Sequence, residues 1–263
     1  MVKNHFVLIH GASYGAWCWY KVSILLKSSG HDVTTLDLAA SGINPIQVQD
    51  VSSILDYNEP LLTFMESLPS HEKVILVGHS FGGISISLAM ERFPHKISVA
   101  VFVAAFVISE NLTYPDIHQE LMRRREKKKD WSMDTKRFFF NGNNNPPTAL
   151  LFGPKFMESQ LFQLSPPEDL TLSLTLVRPF PLFNNEELFL KESKVSKEKN
   201  GNVAKVFIIS KGDISLIDDL QSWMIERSGP YAEVNEINDS DHMVMFSNPK
   251  ELSSLLQKIA DKY

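Results

Sequence analysis

Val74-Ile75-Leu76-Val77-Gly78-His79-Ser80-Phe81-Gly82-Gly83 joins an apolar run to a Gly-x-Ser-x-Gly pattern. That combination mounts a serine hydroxyl on a sharp strand-to-helix turn, where it can attack a carbonyl carbon. The turn is strained and the following helix packs close, so small residues are needed on both sides; Gly78 and Gly82 meet that need. A helix-like continuation over residues 84–93 completes the context and makes Ser80 the expected nucleophile.

A serine hydroxyl is a weak nucleophile at neutral pH and needs a histidine base and a carboxylate to hold the imidazole's tautomer, in the chain order Ser, acid, His. Of the eight histidines only His242 lies late in the chain beside loop signals, in Asn238-Asp239-Ser240-Asp241-His242-Met243, after a strand-like stretch at 232–237. Asp213 follows the apolar run Val206-Phe207-Ile208-Ile209, where the C-terminal edge of a sheet would present it. Asp218, Asp219 and Asp241 compete with it. The first two are expected in the first turn of a helix, where carboxylates complement the dipole, and Asp241 is expected to brace the loop beside His242. Charge developing on a carbonyl oxygen calls for two backbone amides. Phe81 supplies one, and Ala12 is expected to supply the other from the turn His10-Gly11-Ala12-Ser13-Tyr14-Gly15-Ala16-Trp17, where Gly11 lets the backbone approach. His10 and His79 are read as structural.

These groups must be held by a sheet. Short apolar runs at 6–9, 33–36, 74–77, 99–104 and 206–209 alternate with helix-like stretches at 19–29, 61–67 and 220–227. The alternation predicts an α/β fold, a mostly parallel sheet flanked by helices. Over 107–193 the rhythm fails and a mainly helical cap is expected, inserted into a core of 1–106 and 194–263 within a single domain. The basic run from Arg123 to Lys129 is read as a solvated helix face, Asn141-Gly142-Asn143-Asn144-Asn145-Pro146-Pro147 as turns, and 191–202 as the return loop.

With 263 residues, 43% hydrophobic content and a formal charge of −5, the chain suits one well-buried domain and offers no general field for nucleic acid or an anionic membrane surface. The single cysteine, Cys18, excludes an intrachain disulfide and a cysteine-based zinc site and fits a reducing compartment. No stretch reaches the ~20 apolar residues of a membrane span, and the chain enters Phe6-Val7-Leu8-Ile9 with no secretory core before it, so a cytoplasmic protein is expected. The sequons at Asn111 and Asn238 are then chance matches.

Taken together, His5-Phe6-Val7-Leu8-Ile9-His10-Gly11, Gly15-Ala16-Trp17, Asp37-Leu38-Ala39-Ala40-Ser41-Gly42, the Ser80 segment, Phe152-Gly153-Pro154-Lys155-Phe156 and Asp241-His242-Met243 resemble the plant methylesterase and hydroxynitrile lyase family almost end to end. The resemblance implies an α/β-hydrolase fold with a lid, a triad on Ser80, Asp213 and His242, and oxyanion donors at Ala12 and Phe81. It implies no cofactor and no metal, a small-molecule ester as partner, and a homodimer. Lyases of this type carry a threonine after the first-strand histidine and a lysine after the catalytic histidine. Here Gly11 and Met243 stand there, which favours ester hydrolysis, with Met243 as an apolar pocket wall.

For the substrate the resemblance divides. Leu164, Pro167-Glu168-Asp169-Leu170 and Leu176-Val177-Arg178-Pro179 look like salicylate-type methylesterases; Phe81, the segment 96–102 and Leu112-Thr113-Tyr114-Pro115 are closer to esterases of indole alkaloid biosynthesis. Tyr14 adds bulk where the acid moiety would lie. An alkaloid β-formyl or imine methyl ester is favoured, its freed acid losing carbon dioxide unaided, with a hormone ester (salicylate, jasmonate) next. A hydroxynitrile lyase and a noncatalytic hormone receptor on the same fold are the alternatives.

Overall fold

A computed structural model describes residues 3–125 and 130–263. In chain order the strands are β1 His5–Ile9, β2 Asp32–Leu36, β3 Val74–His79, β4 Ile97–Val103, β5 Lys136–Phe138, β6 Ala149–Leu151, β7 Phe180–Pro181, β8 Lys205–Ser210 and β9 Glu233–Ile237. The helices are α1 Tyr20–Ser28, α2 Ile54–Ser67, α3 Gly82–Arg92, α4 Tyr114–Arg125, α5 Pro154–Phe156, α6 Pro167–Leu176, α7 Glu186–Glu192, α8 Asp218–Ser228, α9 Val244–Ser247 and α10 Pro249–Lys262.

Six strands form one sheet in the order β2-β1-β3-β4-β8-β9, every pair parallel. The apolar runs become strands because alternate side chains fall on opposite faces and both faces are covered. Val7, Leu76, Phe102 and Phe207 join one core cluster with Tyr57 and Leu61 of α2 and Leu220 of α8. Leu8, Val77, Val101 and Ile208 join the other with Val22 of α1 and Leu256 of α10. Each fully buried side chain of this size stabilises the fold by roughly 1.5–3 kcal/mol. The edge strand β9 alternates partly exposed and exposed residues, as its charges require. Buried Lys205 is tolerated in β8 because its Nζ donates to the Ser228 carbonyl at 2.7 Å and lies over the Tyr231 ring.

Two elements differ from the sequence expectation. Helix α2 begins at Ile54, capped by Ser53 Oγ, which accepts from the Asp56 amide at 3.1 Å, and it runs through Pro60. The expected stretch, 61–67, covers only the residues after this proline. Between β4 and β8, besides α4 to α7, lies a small antiparallel sheet, β5-β6-β7. Its strands of two or three residues are too short to show a period of two. Among the described residues no helix is long and apolar enough to cross a membrane.

Candidate active site

The register of the sheet sets the site. Ile9 pairs with Gly78, so the loop that leaves β1 at His10 emerges beside the turn that leaves β3. Ser80 sits on that turn with φ of 53°, in the left-handed region that costs a residue with a β-carbon about 1–3 kcal/mol. The conformation is held: the Ser80 carbonyl accepts from Gly83 and Phe106 amides, both at 3.0 Å. A β-carbon on Gly78 would lie 2.6 Å from the Gly82 carbonyl oxygen, and one on Gly82 2.6 Å from that of His10. Close approach therefore demands both glycines.

The Ser80 hydroxyl donates to His242 Nε2 at 3.0 Å, and His242 Nδ1–H donates to Asp213 Oδ2 at 2.6 Å. Asp213 is buried, and its other oxygen accepts from the Ser215 and Leu216 amides, each at 2.8 Å. Serine, imidazole and carboxylate thus form one hydrogen-bonded line at the C-terminal edge of the sheet, the arrangement by which an imidazole removes a proton from a nucleophile. The competing carboxylates lie elsewhere: Asp218 and Asp219 are in the first turn of α8. Asp241 accepts from the Leu164 amide at 2.9 Å, the Ser165 hydroxyl at 2.8 Å and the Met243 amide at 2.9 Å, and so braces the loop.

The two neighbouring histidines are structural by their partners. His10 Nδ1–H donates to the Gly11 carbonyl at 2.8 Å, and its Nε2 accepts from the Leu38 amide at 3.1 Å, which fixes a neutral tautomer. Burial holds its pKa below the ordinary histidine value. His79 Nε2–H donates to the His242 carbonyl, and burial together with the nearby His242 ring keeps it well below that value.

Among the described residues neither the Ala12 nor the Phe81 amide donates to a protein acceptor, so both are free for a substrate oxygen. The loop carrying Ala12 is braced by Asp37, which accepts from Ala16 at 2.6 Å and Ile43 at 3.1 Å. Arg178 of the cap secures the same region: its guanidinium donates to the Asn44 carbonyl at 2.6 Å and the Ile46 carbonyl at 3.0 Å. The sequence reading had quoted both residues without assigning either a role; the signal for Asp37 was a carboxylate directly after an apolar strand.

A cleft opens over Ser80 and His242. Gly11 and Tyr14 line it with Phe81, Trp131, Phe152 and Phe180. Among the described residues its charged lining side chains are Arg125 and Arg137, with His79, His118 and His242 beside them, and none is an Asp, Glu or Lys. Met243, expected as a pocket wall, is instead fully buried in the core cluster with Met157, Leu161 and Phe246 and is not on the cleft wall. Its amide is tied back to Asp241, and α9 starts at the next residue, which turns the side chain away from the cleft.

The basic run also departs from a solvated face. Arg124 is mostly buried, donating to Glu120 at 2.7 Å and pairing with Asp219. Arg125 lies with its guanidinium 4.7 Å from the Trp131 ring centre, and burial brings its pKa down to about 10, which leaves it charged at neutral pH. Arg123 is exposed and pairs with Glu120. The rest of the run, Glu126 to Lys129, lies outside the described residues. His118, Arg125, Trp131 and Arg137 went unrecognised as site residues, because helical spacing does not tell which face the rest of the chain covers.

Residues 6–255 match the model of the alpha/beta hydrolase family. The chain is 52% identical over 261 residues to methyl jasmonate esterase 1 of Vitis vinifera, covering 99% of this chain and 98% of that protein. Tomato methylketone synthase I, in a crystal structure with 2-tridecanone, superimposes with a TM-score of 0.93 at 45% identity over 100% of both chains. The crystal structure of polyneuridine aldehyde esterase gives 0.88 at 39% identity over 98% of this chain and 100% of its own.

Proposed function

We propose that this chain, which belongs to the alpha/beta hydrolase family and within it to the plant methylesterases, cleaves the methyl ester of a small, neutral, apolar acid that carries a second carbonyl oxygen. As a carboxylic ester hydrolase it needs a nucleophile, a base and an oxyanion site, and Ser80, His242 with Asp213, and the Ala12 and Phe81 amides are assigned those roles. Ser80 Oγ attacks the ester carbon as its proton passes to His242 Nε2, while Asp213 stabilises the imidazolium through Nδ1–H. The two amides receive the oxyanion. Methanol leaves with the proton from Nε2, and a water activated by the same nitrogen releases the acid.

The observation that carries the reading is the His242 ring bridging Ser80 and Asp213 under a cleft whose wall is apolar and basic, with no carboxylate among the described residues. An unbalanced buried cation costs several kcal/mol. An indole alkaloid ester bears an amine that is protonated at neutral pH, and no acidic group among the described lining residues receives it. A neutral ester presents carbonyl oxygen as an acceptor for arginine instead, and methyl jasmonate, named in the relative from Vitis vinifera, is such an ester. Among the described lining residues there is also no lysine to stabilise a departing cyanide, which favours ester hydrolysis over cyanohydrin cleavage.

The test is release of free acid and methanol from methyl jasmonate, methyl salicylate and a methyl ester bearing a basic amine, with Ser80→Ala as control. Faster Ser80-dependent cleavage of the neutral keto ester is expected. A preference for the amine ester overturns the substrate reading, and turnover that survives in Ser80→Ala overturns the mechanism.

A further inference from the structure

The loop that carries Asp213 is gripped by the cap from both sides. From the end of α4, an Arg125 guanidinium nitrogen donates to the Ser215 carbonyl at 2.9 Å and to the Ser215 hydroxyl at 3.1 Å. From beyond the π-helical turn Met157–Leu161, Gln163 Nε2 donates to the Gly212 carbonyl at 2.6 Å. The next two residues, Leu164 and Ser165, hold Asp241 ahead of His242. Ser215 in turn donates its amide to the Asp213 oxygen that does not face His242. The contacts therefore run from Arg125 through Ser215, Asp213 and His242 to Ser80.

We propose that Arg125 is a positioning residue: by anchoring Ser215 it keeps the Asp213 carboxylate aimed at the His242 ring, so the acid loop is in register only while the cap is docked. The inference rests on the roles assigned above to Ser80, His242 and Asp213. A guanidinium suits the task, since one of its NH2 groups bonds both the Ser215 carbonyl and hydroxyl while its flat face rests on Trp131. Neighbouring Arg124, paired with Asp219 in the first turn of α8, fastens the same end of α4 beyond the loop. Seven residues separate β8 from α8, so the loop relies on these side-chain contacts as well as its own turns. A catalytic group misplaced by 1 Å loses on the order of 100-fold in rate.

The test must separate positioning from substrate binding, because Arg125 also lines the cleft. Diisopropyl fluorophosphate is a compact probe: the Ser80 oxygen forms a bond to phosphorus, the P–F bond breaks, fluoride leaves, and His242 takes the serine proton. Its rate of inactivation reports the poise of the nucleophile with little demand on the acyl pocket. In Arg125→Met the rate is expected to fall roughly 10- to 100-fold, with kcat for the preferred ester falling in step and Arg125→Lys recovering part of the loss. Wild-type inactivation in Arg125→Met, with only KM for the ester raised, overturns the proposal. Should Arg125→Met not fold, Arg125→Lys decides alone, since an ammonium has no flat face to rest on Trp131 while it bonds Ser215; a rate equal to wild type overturns the proposal and a reduced one supports it. Inactivation that persists in Ser80→Ala would instead sink the assignment of the nucleophile, a failure separate from that of Arg125.

Discussion

His79 Nε2 donates to the main-chain carbonyl of His242 at 2.8 Å, so the residue beside the nucleophile holds the backbone of the residue that faces it. The ring must stay neutral to do this beside His242, and burial enforces neutrality there and at His10. Both groups have folded pKa values below the unfolded value of about 6.5.

The sign of the pH effect follows. Above that unfolded value neither state binds the protons; below it the unfolded chain binds them first, so stability is complete above and lost as pH falls towards the folded values. Unfolding free energy is expected to decline as pH falls below about 6.5, with a contribution from these two rings no steeper than ~2.7 kcal/mol per pH unit. His118, also lowered by burial, adds in the same direction, while Asp241, pushed up by burial, acts oppositely over a window that opens at 3.8. Urea midpoints across this range check it. A His10→Asn variant should show a shallower slope, and an unchanged slope would refute the assignment.

Gly11 lies against the nucleophile. A β-carbon there would fall 2.8 Å from Ser80 Cβ and 3.2 Å from His79 Nδ1. Gly11→Ala is expected to destabilise the protein by about 1–3 kcal/mol through overpacking. It should lower kcat more than it raises KM, since the displaced Cβ carries the attacking oxygen. Steady-state kinetics with a thermal melt test both parts.

Asp213→Asn preserves the shape of the acid but not its charge, and the amide favours the wrong imidazole tautomer. A fall in kcat on the order of 10⁴-fold is expected, with Ser80→Ala losing several orders of magnitude. Asp241→Asn, which alters only loop bracing, should lose far less; equal losses in the two variants would reassign the acid.

Arg137 lines the cleft, and among the described residues its guanidinium has no hydrogen-bond or ion-pair partner. Arg137→Glu should therefore reverse the sign of one wall without breaking an internal contact. The ratio of kcat/KM for an amine-bearing ester to that for a neutral keto ester should rise roughly tenfold, equivalent to about 1.4 kcal/mol. Competition between the two esters measures that ratio directly.

Much of the site was legible because its signals are local. Gly78, Ser80 and Gly82 must be close in sequence to make their turn, Asp213 follows a continuous apolar strand bounded by turn residues, and His242 follows loop signals after β9. Met243 shows where locality ends: it neighbours His242 in sequence, yet the turn made by Asp241 sends its side chain into the core.

The sequence by itself determined the parallel core, the nucleophile turn and the chain order of serine, acid and histidine, since each follows from short-range pattern and backbone sterics. Only the tertiary structure decided that Arg125 and Arg137 line the cleft, that Arg125 reaches the Asp213 loop through Ser215, and that Met243 does not line the cleft. Those outcomes depend on where the cap docks, a sum of contacts between residues far apart in the chain, and helical spacing alone cannot report which face that docking covers.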